Sequence, residues 1–242
     1  MNAGELVGVI VVVAVAATVQ LAAGFGFGLA AVPLLAVLLD PHDAVVVALG
    51  LATFTNSYQA WSGRHDADRA VLGRMIVGAF AGLPVGLAVF LAVDDAVLGL
   101  LIGVAVLAAV VVIAAGLDLR QAGPALDVAG GAMAGAFTMS TGVNGPPLVF
   151  VLQARHFPPD RFRGTITTVF ATLDVVSIVV FAATGELRST ALLAIAVALP
   201  GLAVGALVGL WLRRHLDPAR FRRLVLALLT VAGISAVVSA LT

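Results

Sequence analysis

The chain contains no cysteine and no lysine. The first absence excludes disulfides, thiol nucleophiles and thiolate metal sites. The second, with a formal net charge of zero and thirteen arginines scattered through turns, leaves no basic stripe on which nucleic acid could lie. Charge of either sign is scarce, at 11% of residues against roughly a quarter in soluble domains. A soluble fold needs a polar surface that this composition does not supply. The four histidines, His42, His65, His156 and His215, are dispersed through turns and make no metal set. No nucleotide-binding signature is present, and no cofactor is expected. No positively charged leader with a cleavage site precedes the first apolar run, so that run reads as retained.

What is present is hydrocarbon. Hydrophobic residues make up 62% of the chain and the mean hydropathy is +1.15. Apolar runs of about 20 residues, enough to cross a hydrocarbon core of about 30 Å, recur along its length. The chain therefore reads as an integral membrane protein whose first partner is the lipid bilayer. Polar clusters and turn residues divide it into eight apolar segments, near 5–39, 43–62, 71–92, 96–116, 125–154, 165–184, 189–212 and 220–241. Asp40-Pro41-His42-Asp43 and Phe157-Pro158-Pro159-Asp160 are turns that start new helices. Gly82-x-x-x-Gly86 and Gly201-x-x-x-Gly205-x-x-x-Gly209 allow close helix approach. Tyr58, Trp61 and Trp211 stand near segment ends, as interfacial anchors do.

The chain resembles itself. A shift of 117 residues places Gly28 on Gly145, Pro41 on Pro158, Asp43 on Asp160 and Thr55 on Thr172; with a two-residue gap, Gly82 and Gly86 fall on Gly201 and Gly205. This divides the chain into repeats at 1–120 and 121–242, four segments each, within one membrane domain. The first segment of each repeat is too long to be one straight crossing. Residues 6–39 would reach about 51 Å as a helix. Each long segment also carries a glycine break, at Gly24-Phe25-Gly26-Phe27-Gly28 and at Ser140-Thr141-Gly142-Val143-Asn144-Gly145-Pro146-Pro147.

Arginine placement tests the topology. If all eight segments cross once, the two faces receive eight and five arginines; if the first and fifth enter and leave on one face, twelve of thirteen fall together and only Arg188 lies opposite. The positive-inside rule favours the second arrangement. The expected architecture is an all-α polytopic membrane protein of two inverted repeats, the first segment of each broken into a hairpin of short helices, with both termini outside.

Inverted repeats with broken helices are the architecture of secondary transporters. Irregular backbone at membrane depth is tolerated only where it is buried in protein or lines a wet cavity. Pro146 and Pro147 suit the first turn of a new helix. The free amides around Gly142 to Gly145 stand at the positive end of that half-helix, which favours an anion. Ser140, Thr141 and Asn144 add neutral donors. Gly24, Gly26 and Gly28 offer the same backbone from the other repeat, with Phe25 and Phe27 as apolar walls. Two such ends meeting near the midplane would hold a small oxyanion without a cation in the membrane.

Those residues carry a resemblance. Gly24-Phe25-Gly26-Phe27-Gly28-Leu29-Ala30-Ala31-Val32-Pro33, then Thr141 to Pro147, Phe162-Arg163-Gly164-Thr165, and Leu199-Pro200-Gly201 with Gly205 and Gly209 ahead of an arginine-rich turn, resemble the TauE/SafE sulfite exporter family of membrane permeases. The resemblance runs over nearly the whole chain in family order. It implies a bacterial inner-membrane permease moving sulfite, organosulfonates or related small sulfur-containing anions, commonly outward.

Polar residues inside spans complete the candidate site. Asp174 lies near the centre of segment 165–184, where an ionisable group is expensive and usually functional. It reads either as a proton-coupling group or as a packing carboxyl, protonated or paired with an arginine such as Arg163. Asn56 occupies the equivalent region of the first repeat. Gln20, Thr55 and Thr172 either line the cavity or bond between helices. Arg163 opens the sixth segment and reads as a topology charge or as an anion-attracting residue at a cytoplasmic mouth. An enzyme is not expected, since the spans hold no catalytic dyad. An anion channel, or a carrier of another small organic acid, is the competing reading, and a homo-oligomer is compatible with the sequence.

Overall fold

A computed structural model describes residues 3–115, 123–215 and 218–241. The repeat boundary at 120/121 and Arg120 lie outside the described residues. Every element among the described residues is a helix: α1 (Ala3–Ala23), α2 (Phe27–Leu35), α3 (Pro41–Ser62), α4 (Arg69–Ala92), α5 (Asp95–Ala115), α6 (Ala125–Thr141), α7 (Gly145–Ala154), α8 (Pro159–Thr184), α9 (Ser189–His215) and α10 (Pro218–Leu241). Six of them, α1, α4, α5, α8, α9 and α10, are long and apolar enough to cross a membrane. Helix α3 has the length, but Thr53, Thr55, Asn56, Ser57 and Gln59 lower its hydropathy.

Helix boundaries follow local chemistry. Asp68 caps α4, its carboxylate accepting from the amides of Ala70 (3.0 Å) and Val71 (3.1 Å). Pro41 and Pro159 occupy the first turns of α3 and α8, where the missing N–H is not needed. Gly142 and Gly185 close α6 and α8 in the left-handed region, with φ of 67° and 82°.

Small residues set the tightest packing. A Cβ on Gly78, Gly82 or Gly86 of α4 would fall 1.9–2.1 Å from the carbonyl oxygens of Val128, Ala132 and Ala136 on α6. A Cβ on Gly201, Gly205 or Gly209 of α9 would fall 2.2–2.6 Å from those of Ile10, Ala14 and Thr18 on α1. Successive contacts four residues apart on both partners, rising together, make each pair parallel. Helix α3 packs along α8, and α5 along α10.

These contacts also define the two ends of the bundle. At one end His42 Nδ1 lies 2.6 Å from Asp95 Oδ1, and Thr190 donates to Asp43 (2.5 Å), joining the starts of α3, α5 and α9. At the other, Asp127 bonds Arg74 (2.8 Å) and Arg155 (3.1 Å), tying the starts of α4 and α6 to the end of α7, while Arg161 pairs with Asp68. The second end carries Arg64, Arg69, Arg74, Arg155, Arg161, Arg163, Arg213, Arg214 and Arg223; Arg188 belongs to the first. Helix α2 doubles back along α1, since a Cβ at Gly8 would meet Leu38 at 2.9 Å; α7 doubles back along α6, Gly130 lying against Val151. The outer belt is apolar, with Val77, Val179 and Leu207 exposed on it.

Candidate functional site

Between α1 and α2 the chain turns through Gly24 and Gly26, with φ of 91° and 100°. A side chain at either would strain the backbone, which explains glycine there. Helix α2 then begins at Phe27, and its first amides lack helical acceptors; the first in-helix bond at this end runs from Ala30 N to Gly26 O (3.1 Å). In the second break, Pro146 and Pro147 have no N–H, so the first turn of α7 is left with the amides of Gly145 and Leu148. The two breaks touch. A Cβ on Gly28 would fall 2.1 Å from the carbonyl oxygen of Gly142.

A small cavity of about 10 Å³ lies at this junction, room for a single water. Of the residues expected to form the site, Gly26, Phe27, Gly28, Asn56, Gly142, Asn144 and Asp174 line it. Gln20, Ala48, Leu49, Ala52 and Phe170 complete the wall. Three helices contribute a continuous buried chain of polar groups: Thr55 Oγ1 donates to Gln20 Oε1 (2.6 Å), Gln20 Nε2 to Asn56 Oδ1 (2.6 Å), and Asn56 Nδ2 to Asp174 Oδ2 (2.7 Å). Asp174 is fully buried, and its Oδ1 has no hydrogen-bond partner among the described residues.

The remaining expected residues stand around the cavity without lining it. The hydroxyls of Ser140, Thr141 and Thr172 donate to the carbonyls of Ala136 (2.8 Å), Phe137 (3.1 Å) and Thr168 (2.9 Å), four residues back on their own helices. Their protons are engaged in backbone back-bonds in this structure. Phe25 packs edge-on against Phe162, ring centroids 6.0 Å apart. Gly145 lies against Leu29, and Pro146 is buried in the first turn of α7. Gly24 lies under the Arg163 side chain, whose Cγ a Cβ there would meet at 2.9 Å. Arg163 is not the partner of Asp174. The two are eleven positions apart on α8, about 16 Å along its axis, and Asp174 bonds Asn56 instead.

Gln20 is the member sequence reasoning weighed least, because its role depends on α1 and α3 meeting at one depth. Phe170 had a signal, one helical turn before Asp174 on the same face.

A family description matches this chain: Sulfite exporter TauE/SafE, over residues 9–236. The chain belongs to the TauE/SafE family. A curated relative from Cupriavidus necator, named as a probable sulfite/organosulfonate exporter TauE, is 25% identical over 235 residues, covering 92% of this chain and 90% of the relative. No solved structure matches. As a TauE/SafE protein it is a multi-pass membrane protein of an exporter family.

Proposed function

We propose that the chain exports small sulfur-containing anions, sulfite or an organosulfonate, across the bacterial inner membrane by alternating access, holding the anion between the two breaks. The observation that carries this reading is the approach of Gly28 to Gly142 beside Asn144 and the Gln20–Asn56 amides. The start of α2 and the residues that lead into α7 share one cavity with those amides, and the positive ends of both short helices favour a dehydrated oxyanion beside them. Ser140, Thr141, Gly145 and Pro146 support the shape of the second break, and Thr172 stands nearby on α8. Asp174 is the group placed to couple a proton to the cycle.

The proposed architecture is two inverted repeats, with the arginine-rich end cytoplasmic and both termini outside. Helix pairings support it: exchanging the two halves turns the α4–α6 pair into α9–α1 and maps α3–α8 and α5–α10 onto themselves. The positive-inside rule supports the orientation. The named relative supports the cargo class. A passive pore is the poorer reading, because the cavity between the breaks has room for one water and no more.

The test is counterflow of sulfite, or of a simple alkanesulfonate, in proteoliposomes. Saturable flux should appear and be lost in Asn144→Leu, while a cation flux unaffected by that substitution would overturn the anion site. A reporter fused to the C-terminus should read as external; a cytoplasmic signal would sink the topology.

A further inference from the structure

A second cavity lies beneath the breaks, toward the arginine-rich end. It has a volume of about 250 Å³, and Arg163, Arg213, Gln59 and Thr167 contribute to its walls. Both cavities are built on the same stripes of the same helices. On α3 the break cavity takes Ala52 and Asn56, while the lower one takes Gln59 and Gly63. On α8 the break cavity takes Phe170 and Asp174, while the lower one takes Arg163 and Thr167. Steps of three and four residues keep each set on one helix face, so the cavities are successive turns of one seam.

Two observations mark the lower cavity as more than packing space. The side-chain nitrogen of Gln59 is buried and has no hydrogen-bond acceptor among the described residues, and a donor left in that state is destabilising unless a ligand satisfies it. Arg163 and Arg213 face the same space with no salt bridge to either among the described residues, Asp66 and Asp160 being the acidic groups on the same wall. Asp66 and Asp160 offset part of that charge, but neither forms a salt bridge with the two guanidinium groups, whose N–H donors stay open to an anionic head group.

We propose that this lower cavity is a second anion site, loaded from the arginine-rich end before the breaks, in which Arg163 and Arg213 take the charged head group and the Gln59 amide passes it to Asn56 one turn deeper. Its ligand class is a small oxyanion or a sulfonate carrying a short organic group, which the larger volume admits. The site is distinct from the breaks, although its place in a transport cycle rests on the function proposed above.

The test separates the two. Purified protein in proteoliposomes is assayed for ethanesulfonate uptake with substrate offered to each face in turn. Arg163→Gln and the isosteric Gln59→Glu are expected to raise the half-saturating concentration at least tenfold from the arginine-rich face, more than they lower the saturated rate. From the opposite face the concentration should change less than twofold. Arg163→Lys should restore most of the loss, and Arg188→Gln at the other end should behave as wild type. Equal changes from both faces, or no rescue by lysine, would mean that these residues only support the fold and would overturn the second site. Wild-type behaviour of both variants alongside an inactive Asn144→Leu would overturn the lower site and leave the break site standing. Failure of the unmodified protein to take up any anion would overturn the break site too.

Discussion

Replacing Gly28 with alanine adds one methyl group where the two breaks meet. That methyl would lie 2.1 Å from a backbone carbonyl oxygen, against a minimum near 3.0 Å for real contacts, so the two hairpins must separate by 0.9 Å or more. The Gly142 carbonyl cannot rotate away cheaply, because its residue closes α6 with φ of 67° and its amide is bonded to Thr138 (3.1 Å). Overpacking of this kind costs about 1–3 kcal/mol, which exceeds the 0.5–1 kcal/mol that alanine returns to a helix through backbone entropy. The net effect on stability is therefore a loss of up to about 2.5 kcal/mol. The effect on transport should be larger than that, since a displacement of about 1 Å in a positioned site reduces its function on the order of a hundredfold. The assay pairs initial sulfite flux in proteoliposomes with thermal unfolding in detergent. Gly73→Ala is the control, a helical glycine with nothing within 4 Å of an added Cβ, and it should gain stability and transport normally. Flux from Gly28→Ala above one third of wild type, with unchanged unfolding, would refute the claim that the breaks meet at the functional point.

Other substitutions probe separate parts of the same reasoning. Asp174→Leu removes the acceptor of Asn56 Nδ2 at a fully buried position; unfolding should fall by about 1–3 kcal/mol, and any pH dependence of flux should disappear, which flux measured against a proton gradient will check. Asp127→Ala leaves Arg74 and the largely buried Arg155 without their carboxylate, so a loss of about 3 kcal/mol is expected from denaturation curves. Burial alone would raise the Asp68 carboxyl, but the Val71 amide, Arg161 and the Ala70 amide outweigh it and hold the group below the usual carboxylate range. Its stabilisation is then complete above the unfolded value of about 3.9 and lost as pH falls through the lower folded value. Asp68→Asn should flatten that acid limb of a pH–stability curve, leaving neutral stability lower by no more than about 1 kcal/mol.

Much of this molecule was legible in its sequence because membranes enforce simple rules. Apolar length, turn chemistry at Pro41 and Pro159, and the glycines of α4 and α9 act locally, so helix existence and tight packing could be read directly. Gly26, Gly28, Gly142 and Asn144, which line one cavity, could be singled out because irregular backbone in lipid must be buried in protein or line a wet cavity. The back-bonds of Ser140, Thr141 and Thr172 were not legible, because a hydroxyl in a helix has a second option, its own carbonyl four residues back, that no sequence pattern distinguishes. The pairing of Asp174 with Asn56 rather than Arg163 depended on α3 and α8 lying side by side, a tertiary fact. Gln59 carried no signal at all, since its importance lies in what it fails to bond.

The packing also indicates which parts should move. Glycine-to-carbonyl contact along α1–α9 and α4–α6 leaves no side chains between the backbones, so neither pair can slide without breaking several contacts at once. Each hairpin is thereby fixed to a helix from the opposite half of the chain, α1 and α2 to α9, α6 and α7 to α4. The two assemblies meet at Gly28 and Gly142, and α3 lies against α8 between them, where Asn56 donates to Asp174 and is held from α1 by Gln20, polar partners that can exchange. Opening the break cavity from room for one water to room for an anion therefore requires separation at this seam, not bending within the glycine pairs. Hydrogen exchange in detergent should show the amides of α4, α6, α1 and α9 protected together, with the first turns of α2 and α7 exchanging faster and slowing when sulfite is added. Uniform protection of all ten helices, unchanged by sulfite, would mean that the assemblies do not move against each other and that the seam is not the gate.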